Sequence, residues 1–240
     1  MRNAKIASGR RFELASAKSH GALALCACTG IVTGNGSGPD QGIAGSGPEG
    51  APTVGPDSNS AVRPAVNTAM VGLAAMALAC DCTRVIAFNY SLPAAHIYYR
   101  GLGSNMNADF HNTICHGDDG TSSSQPRVNT GVMYTMQCFA EFLTALQGVP
   151  EGAGTLLDNS LVYATSCTSW GKVHTTNEWP VLLAGKAGGQ LVGNQHFRKA
   201  SGNLSQVLMT VGNAMGANLK EIGLDSGHVA SELSGLRVGT

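Results

Sequence analysis

Between Ala65 and Cys80, apolar side chains recur at steps of three and four, at Ala69, Met70, Leu73, Met76, Ala77 and Cys80. Such steps return to one side of a helical turn, so the stretch predicts a helix with a broad apolar face. Asp81 to Thr83 break it, and "RVIAFNY", Arg84 to Tyr90, follows as a β-branched and aromatic run of strand length. A second helix is expected from about Thr130 to Gln147, with Val132, Met133, Met136, Phe139, Phe142, Leu143 and Leu146 on one side and Gly148 and Pro150 to end it. "SLVYATS", Ser160 to Ser166, and "WPVLLAG", Trp179 to Gly185, read as strands. A third helix is expected from about Leu204 to Met215, with Leu204, Val207, Leu208, Val211 and Met215 inward, Asn203 as its N-cap and Gly216 at its end. Strands apolar on both faces fit a parallel sheet covered by helices, so the expected class is α/β, a mostly parallel sheet flanked by helices.

The first 64 residues lack this order. Thr29 to Pro64 is dominated by Gly, Pro and Ser, and it cannot bury enough apolar surface to offset the entropy of ordering it. Residues 1–64 are therefore expected to be an irregular N-terminal segment and linker, and residues 65–240 one α/β domain. Arg10 and Arg11 precede a short apolar run around Ala22 to Ala27, but Glu13, Lys18 and His20 interrupt what an export signal needs as one continuous hydrophobic region, which makes a poor export signal. No stretch approaches the roughly 18 consecutive apolar residues of a membrane span.

Composition narrows the functional classes. Fifteen basic and fifteen acidic side chains cancel, and only 12% of the 240 residues are charged. That leaves no electrostatic footprint for nucleic acid. A surface so poor in charge favours self-association or another polypeptide as partner. Seven cysteines cannot all pair within one chain; Cys26 with Cys28 and Cys80 with Cys82 stand as C-x-C, Cys115, Cys138 and Cys167 alone. Cys138, in an apolar run, is expected to be a core residue.

Candidate chemistry concentrates in "DFHNTICHGDDG", Asp109 to Gly120, which holds two histidines, a cysteine and three aspartates. His111, Cys115 and His116 follow the first strand, whereas Cys167 and His174 lie between the second and third. Ligands of open parallel sheets bind beyond the carboxyl ends of the strands, so the two groups can meet at one edge. Imidazole and thiolate suit zinc, and Asp109, Asp118 or Asp119 could complete a mixed shell. Helical geometry from Asp109 to His116 would put His111 and Cys115 on one face. The competing reading is a solvated loop whose histidines touch only water, because H-x-x-x-C-H is not an established ligand spacing. No G-x-S-x-G occurs, and the glycines of "GNGSGPDQG" do not follow a predicted strand, so neither a serine nucleophile nor a phosphate-cradling loop is expected. No residue is assigned a catalytic role.

Four stretches together, "AMVGLAAMALACDCTRVIAF", "HNTICH", "PEGAGTLLDNSLVYATS" and "HTTNEWPVLLAG", resemble an uncharacterised bacterial family named for its HXXSHH motif, itself distantly similar to the alkaline phosphatase and sulfatase group. The resemblance runs from about Ala65 to the C-terminus. It implies an alkaline-phosphatase-like sheet, incomplete here because members carry a long N-terminal half before this region, and a periplasmic or secreted location. It also implies metal ligands at His111 and His116, with the motif serine replaced by Ile114 and its middle histidine by Cys115. Cys167 and Thr168 stand near the place of an Asp-His pair, and His174 matches a later histidine. Two functions follow. One is a metal-binding hydrolase-like domain acting on phosphate or sulfate esters, with zinc as the expected divalent ion and His111, Cys115, His116, Cys167 and His174 as ligands. The other is a non-catalytic structural or assembly protein of the bacterial envelope.

Overall fold

The computed structural model describes residues 23–27, 59–91, 96–198 and 202–239, with backbone alone at 23–27 and 59–63. In chain order the elements are β1 (Leu23–Ala27), α1 (Asn59–Ala79), β2 (Val85–Asn89), α2 (Gln125–Gln147), β3 (Pro150–Glu151), β4 (Gly154–Thr155), α3 (Leu156–Asn159), β5 (Leu161–Thr165), β6 (Val181–Ala184) and α4 (Leu204–Ala214). Four strands form one sheet in the order β2-β1-β5-β6. β1 pairs in parallel with β2 and with β5, whereas β5 and β6 run antiparallel. The stretch from Trp179 to Gly185 therefore forms an antiparallel strand at the margin of the sheet, where sequence pattern alone placed it inside a parallel one.

Alternation along β5 explains how the layers are held. Val162 and Ala164 face a core built with Val71, Leu78, Phe139, Phe142 and Leu146 of α1 and α2. Leu161 and Tyr163 face the opposite way, onto Val211 and Ala214 of α4. Successive strand residues point to opposite faces, so this one strand glues helices to both sides of the sheet and is buried along Leu161–Ala164. Short caps fix the entry to β5: Thr155 and Asp158 form a reciprocal capping box on α3. Asn203 caps α4 by accepting a hydrogen bond from the Ser205 backbone N–H.

Two expectations are corrected. The N-terminal segment supplies the second strand of the sheet, Leu23–Ala27, and α1 begins at Asn59 rather than Ala65. The Gly/Pro-rich stretch from Thr29 to Ser58 lies outside the described residues, as does the Arg10-Arg11 pair. The second correction concerns which side of α1 is inward. Asn67, Val71, Ala74, Ala75 and Leu78 are buried, while Val66, Met70, Leu73 and Met76 are 47–56% exposed. The helix is apolar around most of its circumference, so three- and four-residue steps can be drawn on either side of it. On α2, Val132 and Met133 also face outward, and the core side runs through Gly131, Cys138, Phe139, Phe142 and Leu146. Among the described residues no helix is long and apolar enough to cross a membrane.

Candidate functional site

The segment after β2 folds against the start of α2 through a separate cluster of Ile97, Tyr99, Met106 and Ile114, with Phe110, Val128 and Tyr134 packed around it. Out of that cluster comes a single wide helical turn, Phe110–Cys115, with i→i+5 hydrogen bonds from Ile114 N to Asp109 O and from His116 N to His111 O, both 3.1 Å. Such π-turns are rare and gather at functional sites. Here the wide turn sets residue 116 beside residue 111, and the two imidazoles meet edge to face with centroids 4.8 Å apart. The expected sharing of a face by residues four apart gives way to a contact between residues five apart.

Phe110 anchors the turn. Its ring lies so close to the α2 backbone at Gly131 that a Cβ there would fall 2.2 Å from a ring carbon. Its other side meets Tyr99 edge to face at 5.0 Å. Asp109 is buried and caps the turn, its Oδ1 accepting the Asn112 N–H at 2.6 Å while Oδ2 pairs with His96 Nδ1 at 2.8 Å. Asp118, also buried, accepts from Gly120 N and Ser124 Oγ. Asp119 accepts from the Ser124 hydroxyl and from the hydroxyl and backbone of Thr121, which hold its carboxyl well below the usual range. The three carboxylates that sequence reasoning offered as additional ligands thus carry hydrogen bonds that shape the turn and the lead into α2.

The second group arrives from the loop after β5. Trp170 and Thr175 form an isolated antiparallel bridge, and Ser169 N donates to Thr175 O at 2.9 Å. His174 sits at the tip with φ 52°, a left-handed backbone that few residues with a Cβ adopt. Its exposed ring lies edge to face with His116 at 4.9 Å. The loop touches the π-turn again at Gly171, where a Cβ would stand 3.0 Å from Cys115 Cβ. Burial pushes the Cys115 thiol up to about 11, and the nearby negative charges of Cys167, Asp118 and Asp109 act in the same direction. All five residues singled out from sequence, His111, Cys115, His116, Cys167 and His174, therefore belong to two segments in contact. Trp179 serves the loop's base, its indole N–H donating to Ser166 O.

Imidazoles bound to one tetrahedral zinc at Zn–N of about 2.0–2.1 Å have ring centroids roughly 5 Å apart. The observed 4.8 and 4.9 Å match that spacing, though edge-to-face aromatic packing spans about 4.5–7 Å as well. As the side chains stand, no three His, Cys, Asp or Glu among the described residues are arranged to hold an ion. The three rings are gathered at one place, and as they stand their donor groups do not converge on one point. Two cavities among the described residues lie elsewhere, one beside Asn67, Phe88, Tyr99 and Tyr134 and one beside Asn159, Gln190 and Asn213, and none of the three histidines lines either.

Sequence reasoning missed two contributors. His96 is largely exposed and pairs with Asp109 across thirteen positions, for which no spacing rule exists. Gly131 sits within a helical pattern, and an isolated glycine there does hint at close packing, but not at which ring occupies the space. No protein-family model matches the chain, and no curated protein or solved structure matches it.

Proposed function

We propose that the chain is an altered member of the HXXSHH family, with an incomplete alkaline-phosphatase-like sheet, whose histidine cluster holds a divalent cation as a hydrolase-like domain would. The observation that carries this reading is the gathering of His111, His116 and His174 from two loops, with successive ring centroids at 4.8 and 4.9 Å. Imidazoles with thiols beside them favour zinc over magnesium or calcium, which take oxygen donors. Bound there, zinc would polarise a phosphate or sulfate ester oxygen and acidify a water. The protein's own part is to present donors: the π-turn sets His111 against His116, the left-handed backbone at residue 174 brings the third ring over, and Cys115 and Cys167 supply soft ligands. Because His174 is exposed, rotation about its side-chain torsions can aim a ring nitrogen inward without disturbing the core. On this reading the expected location is the periplasm or outside the cell, by resemblance to exported members of that family.

A second reading draws on a different observation. The outer face of α1 exposes Val66, Met70, Leu73 and Met76, and no charged residue occurs from Pro64 to Cys80. Contiguous exposed apolar surface of this kind marks interaction sites. It supports a non-catalytic envelope protein that binds another polypeptide or itself.

Metal analysis separates the two. Purified full-length chain, loaded with zinc and dialysed, is expected to retain one ion per chain, and a His111→Ala, His174→Ala double variant to retain none. Zinc-free wild type after loading would end the metal reading. Hydrolysis of aryl phosphate and aryl sulfate esters by the loaded protein then tests turnover.

A further inference from the structure

We propose that the cavity between α1, α2 and the end of β2 is a binding site for a small, neutral aromatic molecule carrying one N–H or O–H donor. Its volume is about 250 Å³. An apolar cavity of roughly 150 Å³ already takes up benzene, so this one admits a substituted ring or a fused pair. Among the described residues that line it, Phe88, Tyr90, Tyr99 and Tyr134 are aromatic and none is charged. Flat walls favour a ring, and the lack of any lining charge disfavours an ion, whose desolvation would go uncompensated. The walls are braced: Phe88 meets Tyr90 edge to face at 5.1 Å and stacks on Phe142 at 5.9 Å, and Tyr99 packs against both Phe110 at 5.0 Å and Tyr134 at 5.4 Å. Little ordering is left for a ligand to impose. The place in the fold agrees. β2 and β5 both run parallel to β1, so their carboxyl ends lie on one side of the sheet, and the cavity takes the last residues of β2, Ala87 to Asn89. That is the side on which parallel sheets bind ligands.

Asn67 sets the polarity of the ligand. It lines the cavity, is only 7% exposed, and its Nδ2 donates to Glu141 Oε2 at 2.5 Å. A carboxylate only accepts, so this contact fixes which end of the amide faces Glu141 and leaves Oδ1 as the other. Oδ1 has no hydrogen-bond partner among the described residues. A buried acceptor without a partner is costly, and a ligand that brings an N–H or O–H to it removes that cost. A hydrocarbon of the same shape would seal the acceptor off from water as well. None of the three clustered histidines lines this cavity, so the inference does not rest on the metal reading.

The test uses the full chain without added metal, with phenol, toluene and benzoate as probes at neutral pH, followed by NMR of protein labelled at methionine and threonine methyls. Phenol is expected to bind with intermolecular NOEs to the methyls of Met70 and Thr135, which both line the cavity. It should bind about ten-fold tighter than toluene, although toluene is the more hydrophobic of the two. Benzoate should not compete. Asn67→Leu should remove the advantage of phenol over toluene. Ala87→Phe, at an exposed strand position that lines the cavity, should abolish binding of both by filling the space. No binding of phenol, toluene binding as tightly as phenol, displacement of phenol by benzoate, or phenol contacts away from Met70 and Thr135 would each overturn the proposal. The comparison of phenol with toluene is made on the unmodified protein, so it holds even where a variant fails to fold. Zinc retention plays no part in this readout, and either reading can fail without the other.

Discussion

Replacing Gly131 by alanine isolates the contact that holds the π-turn. Within a helix, alanine is favoured over glycine by about 1 kcal/mol, so an unobstructed site would gain stability. At residue 131 the new Cβ would lie 2.2, 2.4 and 3.1 Å from three carbons of the Phe110 ring. Carbon atoms settle at roughly 3.5–4.0 Å, so the ring must withdraw by more than about 1 Å. It cannot do so freely, because Tyr99 packs on it at 5.0 Å. Overpacking of this kind costs about 1–3 kcal/mol, which leaves a net change between neutral and about 2 kcal/mol destabilising. Gly72→Ala is the control: it lies in α1 with nothing within 4 Å of the added carbon, so it should show the propensity gain alone. Paired urea titrations should therefore separate the two variants by about 1–3 kcal/mol. Thermal midpoints should follow at about 2–4 °C per kcal/mol. Phe110→Leu added to Gly131→Ala should recover part of the loss. Equal stabilisation by Gly131→Ala and Gly72→Ala would show that no ring stands over residue 131, and the account of how His111 is placed would fail with it.

Two further outcomes concern the scaffold. Phe142 is fully buried and stacks on Phe88 at 5.9 Å, so Phe142→Ala should cost about 3–5 kcal/mol in urea unfolding; a loss under about 1 kcal/mol would mean that α2 does not form the core. Asp158 joins Lys186 at 2.8 Å and caps α3, and the lysine and then Thr155 hold its carboxyl down to about 2. A depressed carboxylate stabilises the fold above the ordinary value of about 4, and the benefit is lost as pH falls through about 2. The gap in urea midpoint between wild type and Asp158→Asn should therefore be open near neutrality and closed by about pH 2. A gap unchanged across that range would remove the ionic part of the argument.

Much of this architecture can be read from periodicity, and its failures have physical causes. The centres of α1, α2, α4, β2, β5 and β6 follow from step size and turn residues, because each of those signals is local. The inward side of α1 does not, since Val66, Met70, Leu73 and Met76 are as apolar as the buried Val71 and Leu78, and Asn67 is buried among them. β1 was invisible because "LALCA" is too short to stand apart from an interrupted export signal, and its strand character depends on partners far along the chain. The two-loop convergence of His111, His116 and His174 was legible as a possibility from where each lies relative to a strand. The form of their meeting was not, since it depends on hydrogen bonds five residues apart. The structural part of the aspartates was not legible either: Asp109, Asp118 and Asp119 each accept from a backbone N–H two or three residues ahead, a capping role that sequence reasoning did not assign them.

The place of β1 between β2 and β5 also governs how the protein can be made. During synthesis, Leu23–Ala27 precedes both of its neighbours, and one of them, Leu161–Thr165, is translated only after both long helices. Until then the strand has one flank open, and a nascent chain in that condition is a ready target for holdase chaperones and for pairing with other unfinished copies. Slow translation downstream of α2 would prolong the exposure, so codon choice across that interval should affect soluble yield.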